Sequence, residues 1–167
     1  ATKTFTEEDV NPLVIDVALR DTGDIEGVVL AAGGEEPAPV CRVTVTVGGS
    51  GGGRQSVYTD EVTGAFAFTA VPAGTAVLDV EAVGGKDRAT QTVDVPARAA
   101  LENVRIELNG IGSIRGQTVD VPAGFSQRVT LKNEGGFPWR YILIPDAEGR
   151  FAASEVLAGE FSARLEA

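Results

Sequence analysis

The chain has 167 residues, of which 43 % are hydrophobic, and a formal net charge of −10. Such an acidic chain is repelled by phosphate backbones and anionic lipid, so nucleic acid and membrane insertion are not expected. Histidine is absent and Cys41 is the only cysteine, which excludes histidine-based catalysis, an intrachain disulfide and multi-cysteine zinc sites. We therefore expect a non-enzymatic protein with no catalytic residues, no cofactor and no metal.

The amino-terminal residues 1–20 carry two short predicted strands. Residues 2–5 have a Thr-rich pattern, and residues 14–19 alternate apolar and polar side chains, with Ile15, Val17 and Leu19 on one face. Alternation with a period of two residues is typical of a half-buried strand.

Residues 21–110 contain seven predicted strands separated by Gly- and Pro-rich turns. β-Branched residues dominate the apolar positions, which favours strands over helices. The spacing of the turn signals is typical of an immunoglobulin-like β-sandwich. The predicted strands are 24–31, 40–48, 54–60, 63–69, 75–83, 88–95 and 102–108.

Residues 111–167 repeat the first part of this module. Residues 103–108 resemble 14–19, residues 112–116 resemble 23–27, and residues 149–151 resemble 64–66. This second copy contains only five predicted strands, equivalent to the first five of the complete module. They are 112–120, 127–132, 138–144, 149–154 and 160–166.

The last two strands of the second copy have their sequence equivalents in residues 1–20. Residues 2–5 resemble 90–93, so the chain reads as two repeats that are cut at one hairpin loop and rotated. We predict that residues 1–20 of one subunit complete the incomplete sandwich of the next by β-strand addition. The predicted assembly interface consists of Phe5, Leu13, Ile15, Val17 and Leu19. A fragment cut from a longer repeat array would show the same pattern, and this alternative stays open.

The glycines and apolar residues between 27 and 80 also resemble a known family. Thr59, Asp60, Gly64, Phe66 and Phe68 belong to a motif that continues through Val71, Pro72 and Gly74. The motif is similar to that of carboxypeptidase-regulatory-like modules, which are prealbumin-type (transthyretin-like) sandwiches related to collagen-adhesin B repeats. This resemblance implies a spacer or scaffold in surface proteins, without catalytic residues. Some relatives cross-link a lysine, but Lys3, Lys86 and Lys132 are not in the expected core strand.

Several other features allow a chemical interpretation but favour a structural one. The Gly-rich residues 48–54 lack the Gly-Lys-Ser/Thr signature of a phosphate-binding loop. The acidic groups Asp21/Asp24, Asp60/Glu61 and Asp146/Glu148 do not have the spacing of an EF-hand, and Asp beside Gly is common in turns. The aromatic residues in 137–141 could stack on a sugar, although such residues more often pack in cores or interfaces.

We therefore expect an all-β protein of two tandem sandwiches in the extracellular space or on a bacterial or archaeal cell surface. Its predicted function is that of a structural subunit in a pilus-like filament, with other copies of the chain as partners. The alternative is a spacer or accessory module of a larger secreted adhesin or glycan-active enzyme. A glycan or host-surface partner has only the aromatic residues in its favour.

Overall fold

A computed structural model describes residues 20–48, 52–119, 127–134 and 140–166. These residues form twelve β-strands and no helix, which confirms the all-β fold class. The strands are β1 (Thr22–Leu30), β2 (Cys41–Val47), β3 (Arg54–Tyr58), β4 (Ala65–Pro72), β5 (Gly74–Ala82), β6 (Arg88–Val95), β7 (Ala100–Glu107), β8 (Ile111–Gln117), β9 (Arg128–Asn133), β10 (Arg140–Leu143), β11 (Arg150–Leu157) and β12 (Phe161–Glu166).

Strands β1 to β7 form two sheets, which we call the first sheet pair. One sheet has the order β4-β1-β7 and the other β3-β2-β5-β6. Neighbouring strands are antiparallel except β1 and β7, which run parallel. The inward residues of both sheets form a single buried core, and this arrangement is a β-sandwich. Valine supplies much of this core, because its branched side chain fits the alternating geometry of a strand.

Strands β8 to β12 form the second sheet pair, with the strand orders β11-β8 and β10-β9-β12. The pairing repeats that of the first pair residue by residue. In β2 and β5, Val43 lies opposite Val80, and in β9 and β12 Val129 lies opposite Leu165. Strands β8, β9, β10, β11 and β12 are therefore equivalent to β1, β2, β3, β4 and β5, as the sequence repeat predicts.

A β-bulge occurs at the same place in both sheet pairs. Ala70 in β4 and Glu155 in β11 have φ angles of 55° and 53°, and the pairing with β1 and β8 shifts beside them. The strand ends predicted from the sequence, residues 69 and 154, are wrong. Both strands continue for several residues beyond the bulge, because pairing with β1 and β8 resumes there.

The turns before β4 and β11 each contain a glycine at a point where another part of the backbone comes very close. Gly64 and Gly149 have φ angles of 68° and 77°. A Cβ atom at Gly64 would lie 2.4 Å from the carbonyl oxygen of Val29, and one at Gly149 would lie 2.7 Å from that of Thr118. This double constraint explains why the Gly-x-Phe pattern occurs in both repeats.

The two sheet pairs are tied together beside the linker at Asn109 and Gly110. The carbonyl oxygen of Gly110 accepts a 2.8 Å hydrogen bond from the Ala158 amide, and the Gly110 amide donates to an Oδ1 of Asp87. Lys86 Nζ donates to Glu155 Oε2 at 2.8 Å. These contacts join the β5–β6 turn of the first pair to the bulge of the second.

Candidate assembly site

Among the described residues, two strands of the second sheet pair have one neighbour fewer than their equivalents in the first. β1 lies between β4 and β7, whereas β8 pairs only with β11 among the described residues. β5 lies between β2 and β6, whereas β12 pairs only with β9 in the same part of the chain. No described strand pairs with the backbone N–H and C=O groups along these two edges.

The apolar residues beside these edges are less buried than their equivalents in the first sheet pair. Leu165 is 45 % exposed, whereas its equivalent Val80 is 2 % exposed. The same contrast holds for Ile114, Phe151 and Phe161, which are half-buried, although Ile25, Phe66 and Ala76 are buried. We call Ile114, Phe151, Phe161, Ala163 and Leu165 the acceptor groove.

Beside the groove, Tyr141 makes one contact within its own sheet and one with the opposite sheet. The Tyr141 and Phe161 rings lie 6.0 Å apart, centroid to centroid, with an interplanar angle of 60°. The Tyr141 hydroxyl accepts a 3.2 Å hydrogen bond from the Leu157 amide, which joins β10 to β11. Tyr141 therefore packs within the second sheet pair, and its hydroxyl is satisfied by the backbone. Phe137, Pro138 and Trp139, the other members of the aromatic run, lie outside the described residues.

The predicted interface residues Phe5, Leu13, Ile15, Val17 and Leu19 also lie outside the described residues, so their role stays a prediction. The first described residue is Arg20, whose Nη1 donates to the Gly48 carbonyl oxygen at 3.4 Å. The next residue, Asp21, accepts a 2.8 Å bond from the Ala73 amide. Residues 1–19 therefore join the first sheet pair at the end of β1 opposite to the linker.

Residues 1–20 stand out in the sequence as a repeat fragment, whereas the residues of the acceptor groove do not. None of the groove residues belongs to a motif, and each looks like an ordinary core residue of a strand. The signal that could have found them is the repeat itself. Ile114, Phe161, Ala163 and Leu165 are equivalent to residues of β1 and β5, whose neighbours in the first sheet pair are β7 and β6. Phe151 is equivalent to Phe66 of β4, which pairs with β1.

Two of the acidic residues considered as calcium ligands, Asp60 and Asp146, accept hydrogen bonds within turns. The Oδ1 atom of Asp60 accepts bonds from the Val62 and Thr63 amides and from the Thr63 hydroxyl. The bonds from Thr63 are the main cause that lowers the pKa of Asp60. Asp146, its repeat equivalent, accepts from the Glu148 and Arg150 amides, and the Arg150 bond is the main cause that lowers the pKa of Asp146.

The remaining acidic residues also bind protein groups. Asp21 accepts from Arg98, Asp24 accepts from the Ala70 amide at the bulge, and Glu148 pairs with Arg150. Glu61, next to Asp60, is exposed in the turn. Among the described residues, no three acidic or cysteine side chains are grouped closely enough to hold a metal ion. These carboxylates therefore act as turn and bulge acceptors.

Cys41 lies buried on the inner face of β2, and its Sγ atom contacts the Pro39 carbonyl oxygen at 3.0 Å. Burial, helped by the Asp87 carboxylate, raises the pKa of this thiol to about 11. At pH 8 only roughly one thiol in a thousand would then be a thiolate, which is the reactive form. We expect no reaction of the native protein with a thiol reagent such as Ellman's reagent, and one reactive thiol after unfolding in urea. Rapid labelling of the folded protein would contradict this prediction.

The described part of the chain has no helix that could cross a membrane. No family model and no curated protein matches the chain, so the carboxypeptidase-regulatory-like resemblance stays a prediction. Among solved structures, the chain is similar to a streptococcal ancillary pilin, with a TM-score of 0.46 and 16 % identity over 95 % of this chain and 58 % of the other. It is also similar to the Bacillus anthracis TIE protein, with a TM-score of 0.38 and 16 % identity over 86 % of this chain and 31 % of the other. The chain thus spans less than two thirds of either protein.

Proposed function

We propose that the protein is a non-enzymatic structural subunit of an extracellular or cell-surface filament. Residues 1–20 of one copy fill the acceptor groove of the next, and residues 21–110 and 111–167 form the two sandwich domains. The observation that carries this proposal is that no described strand pairs with one edge of β8 and one edge of β12, together with the repeat equivalents of β6 and β7 in residues 1–20.

The first sheet pair provides a template for the register of the donated strands. In that pair, Val104 lies beside Gly27 in the parallel ladder, and Val93 lies opposite Ala76 in the antiparallel ladder. Transferred through the repeat, these pairs place Ile15 beside Gly116 and Phe5 opposite Phe161. The donated strands would then satisfy both edges and cover the apolar groove.

The position of Arg20 favours donation to another copy. In the same register, Ala18 lies beside Val119, at the end of β8 that points away from the linker. Arg20 lies at the opposite end of the first sheet pair, and β1 alone has nine residues, or about 30 Å. Two residues span at most about 7 Å. The described hydrogen bonds between the sheet pairs lie beside the linker, which supports a neighbouring molecule as the source of the donated strands.

A contact of this kind is directional and repeats from copy to copy. Because the donor and the acceptor are different surfaces of one chain, each added subunit presents a new donor and a new acceptor. Such an assembly forms an open filament unless its rotation closes a ring.

Engineered disulfides test the proposed register between molecules. The outward pair Val77 and Thr92 predicts that Ser162 of one copy lies opposite Thr4 of the next. We expect that a mixture of the Thr4→Cys and Ser162→Cys proteins forms a disulfide-linked heterodimer under mild oxidation. The native Cys41 is buried, so it should not interfere.

In the matched control, the donor cysteine is placed two residues away, on the same face of the donated strand. A Thr2→Cys protein should cross-link to the Ser162→Cys protein far less, because diagonal neighbours are about 7–8 Å apart and disulfides need shorter Cα distances. Negative-stain microscopy of the unmodified protein should also show filaments that disappear when residues 1–19 are deleted. A protein that stays monomeric at all concentrations and gives no Thr4–Ser162 cross-link would refute the proposal.

A further inference from the structure

We infer that Phe5 selects the donor by size, so that the acceptor groove prefers residues 1–20 to a strand built like β6 of the first sheet pair. This inference rests on the proposed function. It concerns a specificity-determining residue, and it is carried by a compensating exchange of large and small side chains between the two repeats.

Two inward residues of the first sheet pair become small in the second. Phe68 in β4 and Leu78 in β5 are fully buried, and their equivalents are Ala153 and Ala163. Replacing a large core residue by alanine leaves a cavity unless another group fills it. The acceptor side therefore has room that the first sandwich lacks.

Two other positions change in the opposite direction. Ala76 in β5 is equivalent to Phe161 in β12, and its cross-strand partner Val93 is equivalent to Phe5. Phe161 recovers part of the lost volume from within the groove. In the same register Lys3 is the cross-strand partner of Ala163, as Gln91 is of Leu78. Phe5, placed opposite Phe161 and diagonal to Ala163, would fill the remaining apolar space, because close packing requires the total core volume to be matched.

Because the volumes must match, the groove should bind a donor strand with Phe5 more tightly than a donor strand with valine at the same position. A strand with valine at this position, as in β6, would leave part of the apolar space between Phe161 and Ala163 empty. A groove with leucine at residue 163, as in β5, would leave too little room for Phe5. Each single exchange should therefore weaken assembly, and the two exchanges together should restore it.

The test is a double-mutant cycle in the full chain, with the critical concentration for filament formation measured by sedimentation. We expect Phe5→Val and Ala163→Leu each to raise the critical concentration by about tenfold or more, since size mismatches in a core cost of this order. The Phe5→Val/Ala163→Leu protein should return to within about threefold of the unmodified protein, which a merely structural defect would not do.

The matched control is Ala152→Leu, which makes the same exchange on the outward face of β11, where Ala152 is exposed. Its critical concentration should stay near that of the unmodified protein. The size selection would be overturned if neither single exchange changed the critical concentration. It would also be overturned if the double variant assembled no better than the single variants. Either result would leave strand donation intact. If the unmodified protein does not assemble, both proposals fail.

Discussion

A Val17→Asp substitution should abolish filament formation. Val17 is equivalent to Ile106 of β7, which is 2 % exposed in the core of the first sheet pair. In the proposed assembly, the aspartate would place an unpaired charge between the sheets, which costs several kcal/mol. We expect the critical concentration to rise by more than about 100-fold, as measured by sedimentation and electron microscopy.

The neighbouring residue supplies the control for this experiment. Asp16 is equivalent to Arg105, which is exposed on the outer face of β7. An Asp16→Ala protein should therefore assemble almost as well as the unmodified protein. Normal filaments from the Val17→Asp protein would show that residues 14–19 do not enter a core, and the proposed donor register would be wrong.

A Phe66→Ala substitution should strongly destabilise the first sheet pair. Phe66 is buried in β4, and its ring lies over Gly27 and 6.0 Å from the ring of Phe68, centroid to centroid. Loss of a buried phenylalanine side chain costs about 3–5 kcal/mol, because the cavity is only partly closed by relaxation. Urea unfolding followed by circular dichroism measures this change in the free energy of unfolding.

The repeat provides a matched comparison at Phe151, which lies over Gly116 in the same way but is half-buried. In the unassembled protein, Phe151→Ala should cost clearly less than Phe66→Ala, because fewer of its contacts are made. If strand donation covers the groove, the cost of Phe151→Ala should increase after assembly. Equal losses at Phe66 and Phe151 in the monomer would contradict the open groove.

Much of this fold is predictable from local pattern. Alternation in stretches such as Cys41–Val47 places apolar side chains on one face, and Gly- and Pro-rich segments mark the turns, so all twelve strands were located. The bulges were not predicted, because Ala70 and Glu155 are poor candidates for a positive φ. Their conformation is imposed by pairing on both sides and, at Ala70, by a hydrogen bond from its amide to Asp24.

It is harder to predict from the sequence which strands pair with one another than to predict where the strands lie. The parallel pairing of β1 with β7 joins segments far apart in the chain, and the period of each strand contains no information about its partner. The acceptor groove was missed for the same reason. Leu165 resembles any inward leucine, and its 45 % exposure goes with the absence of a β6 equivalent beside β12 among the described residues.

The tie between the two sheet pairs has a mechanical consequence. The Lys86–Glu155 ion pair joins side chains that are 54 % and 61 % exposed, so its attraction is screened by dissolved salt. The Gly110–Ala158 backbone bond beside it is far less sensitive to ionic strength. A fibre of such units should therefore bend more easily in concentrated salt without coming apart, and its persistence length would report on this joint.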